Sequence, residues 1–178
     1  MTDLLIRLAE PADFDAVARL TVAAYREDGQ LDGEHGYEEA LADVPARAGA
    51  GELLVAADEV TGELLGAVLF VLPGSAYAEL SAPGEAEFRM LAVDPGAQGR
   101  GAGKALVRAC LDRARSLGCS GVVICTRSFS TPAHRLYAGF GFVRIPDRDW
   151  SPAPGVDLLA LRLDLTPAPP ALAESSRG

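Results

Sequence analysis

The chain has 178 residues, of which 49% are hydrophobic and 23% charged, a composition that fits one globular domain able to bury a core without disulfides or a structural metal. Its net charge of −9 argues against a broad nucleic-acid surface, which needs an excess of lysine and arginine. No basic segment followed by an apolar run opens the sequence, and no stretch reaches the length of a membrane span, so a soluble, cytoplasmic protein with no membrane partner is expected. Cys110, Cys119 and Cys125 match no zinc or CxxC spacing and read as reduced structural thiols.

Leu4 to Leu8 read as a strand. Pro11 then sits where a helix can begin, and Phe14, Val17, Thr21, Ala24 and Tyr25 follow at helical spacing. Residues 28–51 are acidic and broken by glycines, with a short helix over Tyr37 to Ala42; this segment is a candidate substrate loop. Leu53 to Ala57 and Leu65 to Leu72 are apolar runs joined through Gly62, as in an antiparallel hairpin.

Glu85 to Val93 read as the next strand, closed by Asp94, Pro95 and Gly96 and a glycine-rich turn. A helix over Ala102 to Leu117 carries Leu106, Val107, Cys110, Leu111 and Ala114 on one face and ends at Gly118. Gly121 to Thr126 form a buried strand, so strand, helix and strand imply a right-handed parallel crossover. Ser130 or Thr131 can cap a short helix from Pro132 to Tyr137. Phe142 to Ile145 and Val156 to Leu165 pair as a terminal hairpin, joined by the long, proline-rich connection from Pro146 to Gly155. Residues 1–165 are thus read as a single domain, and 166–178 as a disordered tail with nothing apolar to bury.

A strand leading through glycines into a helix N-terminus is an anion site, since free backbone N–H groups and the helix dipole point the same way. A P-loop is excluded because Gln98 stands five residues before Gly103 and Ala105 follows Lys104. The dinucleotide fingerprint lacks its third glycine, because Lys104 stands there. The segment does resemble the Gln/Arg-x-x-Gly-x-Gly/Ala signature of GNAT acetyltransferases, matched by Gln98 through Gly103 directly after Met90 to Pro95. Leu136 to Phe142 resemble the family's second signature, a helix ending in Tyr followed by Gly-Phe and a strand.

That resemblance implies the GNAT fold, an α/β (α+β) architecture. It is a mixed, mostly antiparallel sheet of six to seven strands with about four helices, a central parallel β-α-β crossover and splayed strands. It implies an N-acetyltransferase that moves an acetyl group from acetyl-CoA to a primary amine of a small molecule or peptide by direct attack, without metal. A non-catalytic acyl-CoA-binding module of the same fold is the alternative, and a longer acyl donor stays open. The amides of Gly99, Arg100, Gly101, Ala102, Gly103 and Lys104 would cradle the pyrophosphate, with charge from Arg100 and Lys104. The backbone of Leu91, Ala92 and Val93 would pair with the pantetheine arm, and the Val93 N–H would polarise the thioester carbonyl. Ser130 stands where the family often has a cofactor-touching Asn.

By the same resemblance Tyr137 would protonate the leaving thiolate. Glu87 aligns with the family's general base, and strand alternation puts it on one face with Arg89, Leu91 and Val93; pairing with Arg89 would instead make it structural. His134, one turn before Tyr137, or a water is the other choice for base, and His35 has a weaker claim. The run Glu27, Asp28, Asp32, Glu34, Glu38, Glu39 and Asp43 suggests a cationic acceptor. A homodimer is compatible with this reading, and Trp150 in the late connection could cover the cleft or a partner subunit.

Overall fold

The computed structural model describes residues 3–32 and 37–165. The expected tail, Glu34 and His35 lie outside them. The described elements are, in chain order, β1 (Leu4–Leu8), α1 (Phe14–Glu27), α2 (Tyr37–Ala42), α3 (Val44–Ala50), β2 (Glu52–Asp58), β3 (Leu64–Val71), β4 (Glu85–Val93), α4 (Ala102–Ser116), β5 (Gly121–Arg127), α5 (Thr131–Phe140), β6 (Val143–Arg144), β7 (Trp150–Ala153) and β8 (Val156–Asp164). The strands form one sheet in the order β1-β2-β3-β4-β5-β8-β6, with β7 also paired to β8. All pairings are antiparallel except β4 with β5. No described helix is long and apolar enough to cross a membrane.

The eight strands and five helices among the described residues slightly exceed the expected six to seven and about four. Two additions explain the difference. β7 forms inside the proline-rich connection, and α3 forms where Asp43 accepts the Ala46 N–H and a proline occupies the first turn. Helix starts of this kind need only a cap and a proline, which override the two glycines nearby.

Each sheet face carries its own core. Leu106, Val107, Cys110, Leu111 and Ala114 of α4 pack with Tyr137, Ala86, Phe88, Val122 and Ile124. On the other face Val17 and Leu20 of α1 and Val44 of α3 pack with Val55, Ala67, Leu69 and Ala92. The helical periodicity of α1 and α4 seen in the sequence is thus the stripe each helix buries.

β4 is the strand that organises the rest. A bulge interrupts its pairing with β3, because Ala67 pairs with Ala92 while Leu69 pairs with Arg89. Met90 sits in the bulge at φ 56°, the left-handed region for a residue with a side chain. The extra residue reverses the alternation. Ala86 and Phe88 before the bulge share the α4 face with Leu91 and Val93 after it, whereas Ala92 faces α1. Glu87 and Arg89 therefore lie on the face opposite Leu91 and Val93, correcting the single face expected from strict alternation.

Candidate active site

The parallel pairing of β4 with β5 stops at Glu87 opposite Val123, although β4 runs on to Val93 and β5 to Arg127. Past that point the strands splay. Asp94 donates its N–H to the Leu65 carbonyl at 2.8 Å, so by antiparallel alternation the neighbouring pair, Val93 and Gly66, points its backbone groups away from each other. The N–H and C=O of Val93 hence face the open edge of β4.

The splay leads from β4 to the glycine turn. Gly99 and Gly101 both hold φ 86°, a conformation that side chains resist, and Gly101 is the N-cap of α4. Ala105 makes the first i to i−4 bond, to the Gly101 carbonyl at 3.0 Å, so the amides of Ala102, Gly103 and Lys104 precede the helical ladder. No side chain caps this end and no acid occupies its first turn. Gln98 and Lys104 are exposed. Arg100 is engaged by Asp58 at the end of β2, whose carboxyl is drawn down to about 2 by that bond and by two backbone amides. Arg100 thus ties the turn to the β2–β3 hairpin, and Lys104 is left as the cation of the turn without a carboxylate partner among the described residues.

On the other side of the splay is a cavity of about 350 Å³. Phe88, Arg89, Met90 and Leu91 of β4 form one wall and Cys125, Thr126 and Arg127 of β5 another. Ala133 and Tyr137 of α5, Tyr25, Tyr37, Gln30 and Glu79 close it, together with Trp150, Pro152 and Ala153 of β7 and two residues of β8. Tyr137 is 7% exposed, packed against Phe88 and Phe142. Burial drives its phenol well above the usual range, so it is protonated at neutral pH. The Cys125 thiol is pushed up to about 12 by burial and is not a thiolate nucleophile near pH 7.

Glu87 is fully buried and absent from the cavity wall. Its carboxylate accepts the backbone N–H groups of Glu79, Leu80 and Ser81 at 3.0 to 3.2 Å. Both oxygens accept from amides, an arrangement that favours a holding role over the expected one of base, and the ion pair weighed with Arg89 does not form. Arg89 pairs with Glu79 at 3.1 Å and donates to the Tyr77 carbonyl. Glu79 is the acid of the cavity wall among the described residues, and burial pushes its carboxyl up, against the pull of Arg89 and with a push from Glu87. The loop bearing it is further held by Glu85, which accepts from the Ala82 amide and pairs with Arg148 and Arg162 at 2.7 Å.

Other expected residues fall elsewhere. The Ser130 hydroxyl donates to Asp28 at 2.8 Å, and Ser130 is buried and does not line the cavity. His134 Nε2 donates to the Arg127 carbonyl at 3.1 Å, and His134 does not line the cavity. Asp28 also takes Gln30, Glu38 pairs with Arg26, and Asp43 caps α3. No described acid of the 27–43 segment lines the cavity, and Glu34 lies outside the described residues. Glu79 and Arg127 carried no sequence signal, since one sits in an irregular loop and the other reads as a strand end.

The turn, the splayed strand and the tyrosine-lined cavity meet along β4, and residues 14–142 match the family model described as "Acetyltransferase (GNAT) family". The chain belongs to the GNAT acetyltransferase family. It is 36% identical over 130 residues to a mycothiol acetyltransferase of Cellulomonas flavigena, an alignment covering 68% of this chain and 36% of the relative. The chain thus spans about a third of the length of the curated relatives it matches. In fold it resembles a GNAT-family acetyltransferase of Staphylococcus aureus, with a TM-score of 0.71, 14% identity and 92% and 99% of the two chains covered. It also resembles a GNAT-family acetyltransferase of Brucella melitensis in complex with acetyl-CoA, with a TM-score of 0.62, 23% identity and 96% and 93% covered. Among the described residues no cluster of three or more His, Cys, Asp or Glu is arranged to hold a metal.

Proposed function

We propose that this GNAT protein is an N-acetyltransferase that moves the acetyl group of acetyl-CoA to the amine of a small acceptor by direct attack. The observation that carries the reading is the opening of β4 from β5 past Glu87 and Val123, with the glycine turn at one end and the Tyr137 cavity at the other. The residues suit acetyl-CoA. The uncapped first-turn amides of α4, with Gly99 and Gly101 in the left-handed region, take the pyrophosphate, and the outward backbone groups of Val93, with Leu91 beside them, receive the pantetheine arm.

The acceptor amine in the cavity attacks the thioester carbonyl carbon; an N–C bond forms and the C–S bond breaks. The Val93 N–H stabilises the oxyanion, Tyr137 gives its proton to the departing sulfur, and Glu79 takes the proton lost by the amine. A carboxyl raised by burial is better matched to that task at neutral pH than an ordinary one. Glu87 is a positioning residue that holds the Glu79 loop. With Cys125 protonated, attack in a ternary complex needs no acyl-cysteine.

Melting temperature with acetyl-CoA, compared with ATP and NAD, tests the binding half; at 100 times Kd the expected gain is roughly 2.7 kcal/mol. CoA release over an amine panel tests the other half, and the panel includes a mycothiol precursor because of the curated likeness. A rise with ATP or NAD instead of acetyl-CoA would withdraw the assignment.

A further inference from the structure

If the cavity receives the acceptor, its charges constrain what the acceptor is. Among the described residues the wall carries one acid, Glu79, and two cations, Arg89 and Arg127. Arg89 is matched by Glu79. Arg127 has no carboxylate partner among the described residues; its guanidinium lies 4.7 Å from the Phe129 ring centroid, Nη1 reaches the Gln30 carbonyl at 3.4 Å, and Nε is buried with no hydrogen-bond partner. Stacking and one long bond hold the fork, and a planar guanidinium with no carboxylate partner among the described residues is suited to binding a ligand carboxylate.

A second cation stands behind the wall. Arg47 of α3 is fully buried, with one nitrogen on the Leu41 carbonyl at 2.8 Å and with Nε and Nη1 lacking any partner among the described residues. Burial depresses its pKa, and its charge acts on Tyr25 and Tyr37, both on the cavity wall. The low-dielectric surroundings transmit that field to the cavity with little screening. Among the described residues three guanidinium groups stand against two carboxylates, Glu79 on the wall and the buried Glu87, whose charge acts on Glu79 and Cys125, and the positive excess makes the cavity hospitable to an anion.

We infer that the acceptor is an aminocarboxylate, a small molecule carrying a free carboxylate close to the amine that is acetylated, with Arg127 binding the carboxylate and Glu79 facing the amine. Arg47 biases the site in the same direction without touching the ligand. This rests on the acetyltransferase reading. The volume of the cavity suits a free amino acid, and the charge pattern discriminates against the same amine once its carboxylate is esterified or removed.

The experiment compares kcat/KM, at saturating acetyl-CoA, for a set of amino acids, their methyl esters and their decarboxylated amines. The expected result is a preference for the free acid of about tenfold or more for at least one amino acid. Arg127→Gln brings that ratio close to one, and because the ratio is taken between enzymes, differences in amine basicity between acid and ester cancel. Arg127→Lys, which keeps the charge, retains part of the preference. Equal or better use of esters or decarboxylated amines overturns the inference, and so does a ratio unmoved by Arg127→Gln or equally low in Arg127→Lys. A readout independent of turnover uses melting temperature with CoA present: N-acetyl amino acids raise it and their methyl esters do not, and Arg127→Gln abolishes the difference. Equal shifts for both, or none for either, again overturn it. A protein that binds acetyl-CoA and acetylates amines without regard to the carboxylate refutes the aminocarboxylate alone, whereas one whose melting temperature ignores acetyl-CoA refutes the reading beneath it.

Discussion

The carboxylate of Glu87 accepts the backbone N–H of Glu79 at 3.1 Å, so one buried acid holds in place the acid that faces the cavity. The two residues divide tasks that the sequence places on one. Glu79→Gln is expected to lower kcat by about a hundredfold or more and to lower the melting temperature less than Glu87→Gln does, since it removes the ion pair with Arg89 but keeps the loop's amides bonded. Glu87→Gln is expected to destabilise the fold by about 1–3 kcal/mol, because a charged acceptor to three amides is lost. Denaturant unfolding of both variants beside their steady-state rates separates the roles; full activity in Glu79→Gln would return the base to a water or another residue.

The same assignment fixes a pH dependence. Burial raises the Glu79 carboxyl, so the acid limb of kcat/KM should lie above the ordinary carboxylate range and disappear in Glu79→Gln. Activity is present above that limb, where Glu79 is ionised and can accept a proton, and is lost as pH falls through it.

Tyr137→Phe removes the proton for the leaving thiolate and should reduce kcat about ten- to hundredfold. The change keeps the ring against Phe88 and Phe142, so acetyl-CoA should still raise the melting temperature. An unchanged rate of CoA release would show that the thiolate leaves without help from this phenol.

Gly101 holds φ 86° with open space around the position of a Cβ. Gly101→Ala should therefore act through backbone strain alone, lowering stability by about 1–2 kcal/mol, roughly 2–8 °C in Tm for a chain of this size. Acetyl-CoA affinity should fall as well, since the amides of the turn share that backbone; calorimetric titration of wild type and variant checks this.

Alkaline conditions test the burial of the cavity wall. The Cys125 thiol sits near 12 in the folded chain against an ordinary 9.0, and Tyr25 and Tyr137 are raised too. The folded state therefore binds more protons than the unfolded state above pH 9, and stability is full below that point and declines as pH rises toward 12. Melting temperature measured from pH 8 upward should fall, with a shallower slope in Cys125→Ala.

Much of this architecture was legible in the chain. The amphipathic stripes of α1 and α4, the β4–α4–β5 crossover and the glycine turn follow from periodicity and from residues that tolerate special backbone conformations. The bulge was not legible. Met90 carries no glycine or proline to mark it, and its left-handed φ is imposed by the sheet on either side, so alternation was carried through and put Glu87 on the wrong face. Glu79 and Arg127 become neighbours of Tyr137 only through tertiary placement of a loop and a strand end. β7 escaped notice because Pro152 and Pro154 lie in or beside it, tolerated on a strand that pairs with β8 alone.

The bulge also limits how β4 can change in length. Away from the bulge, removing or adding one residue in β4 would reverse every side chain beyond it and exchange the contents of two cores in a single step, whereas removal of Met90 itself would restore plain alternation with Phe88, Leu91 and Val93 still toward α4 and Ala92 toward α1. Point substitutions along this strand are local events, but a one-residue deletion outside the bulge is a global one. Variation by insertion and deletion should thus collect in the segments that enclose the acceptor cavity from outside, the Leu72–Gly84 loop and the connection around β7, where chain length sets the shape of the cavity without renumbering the wall that faces the cofactor.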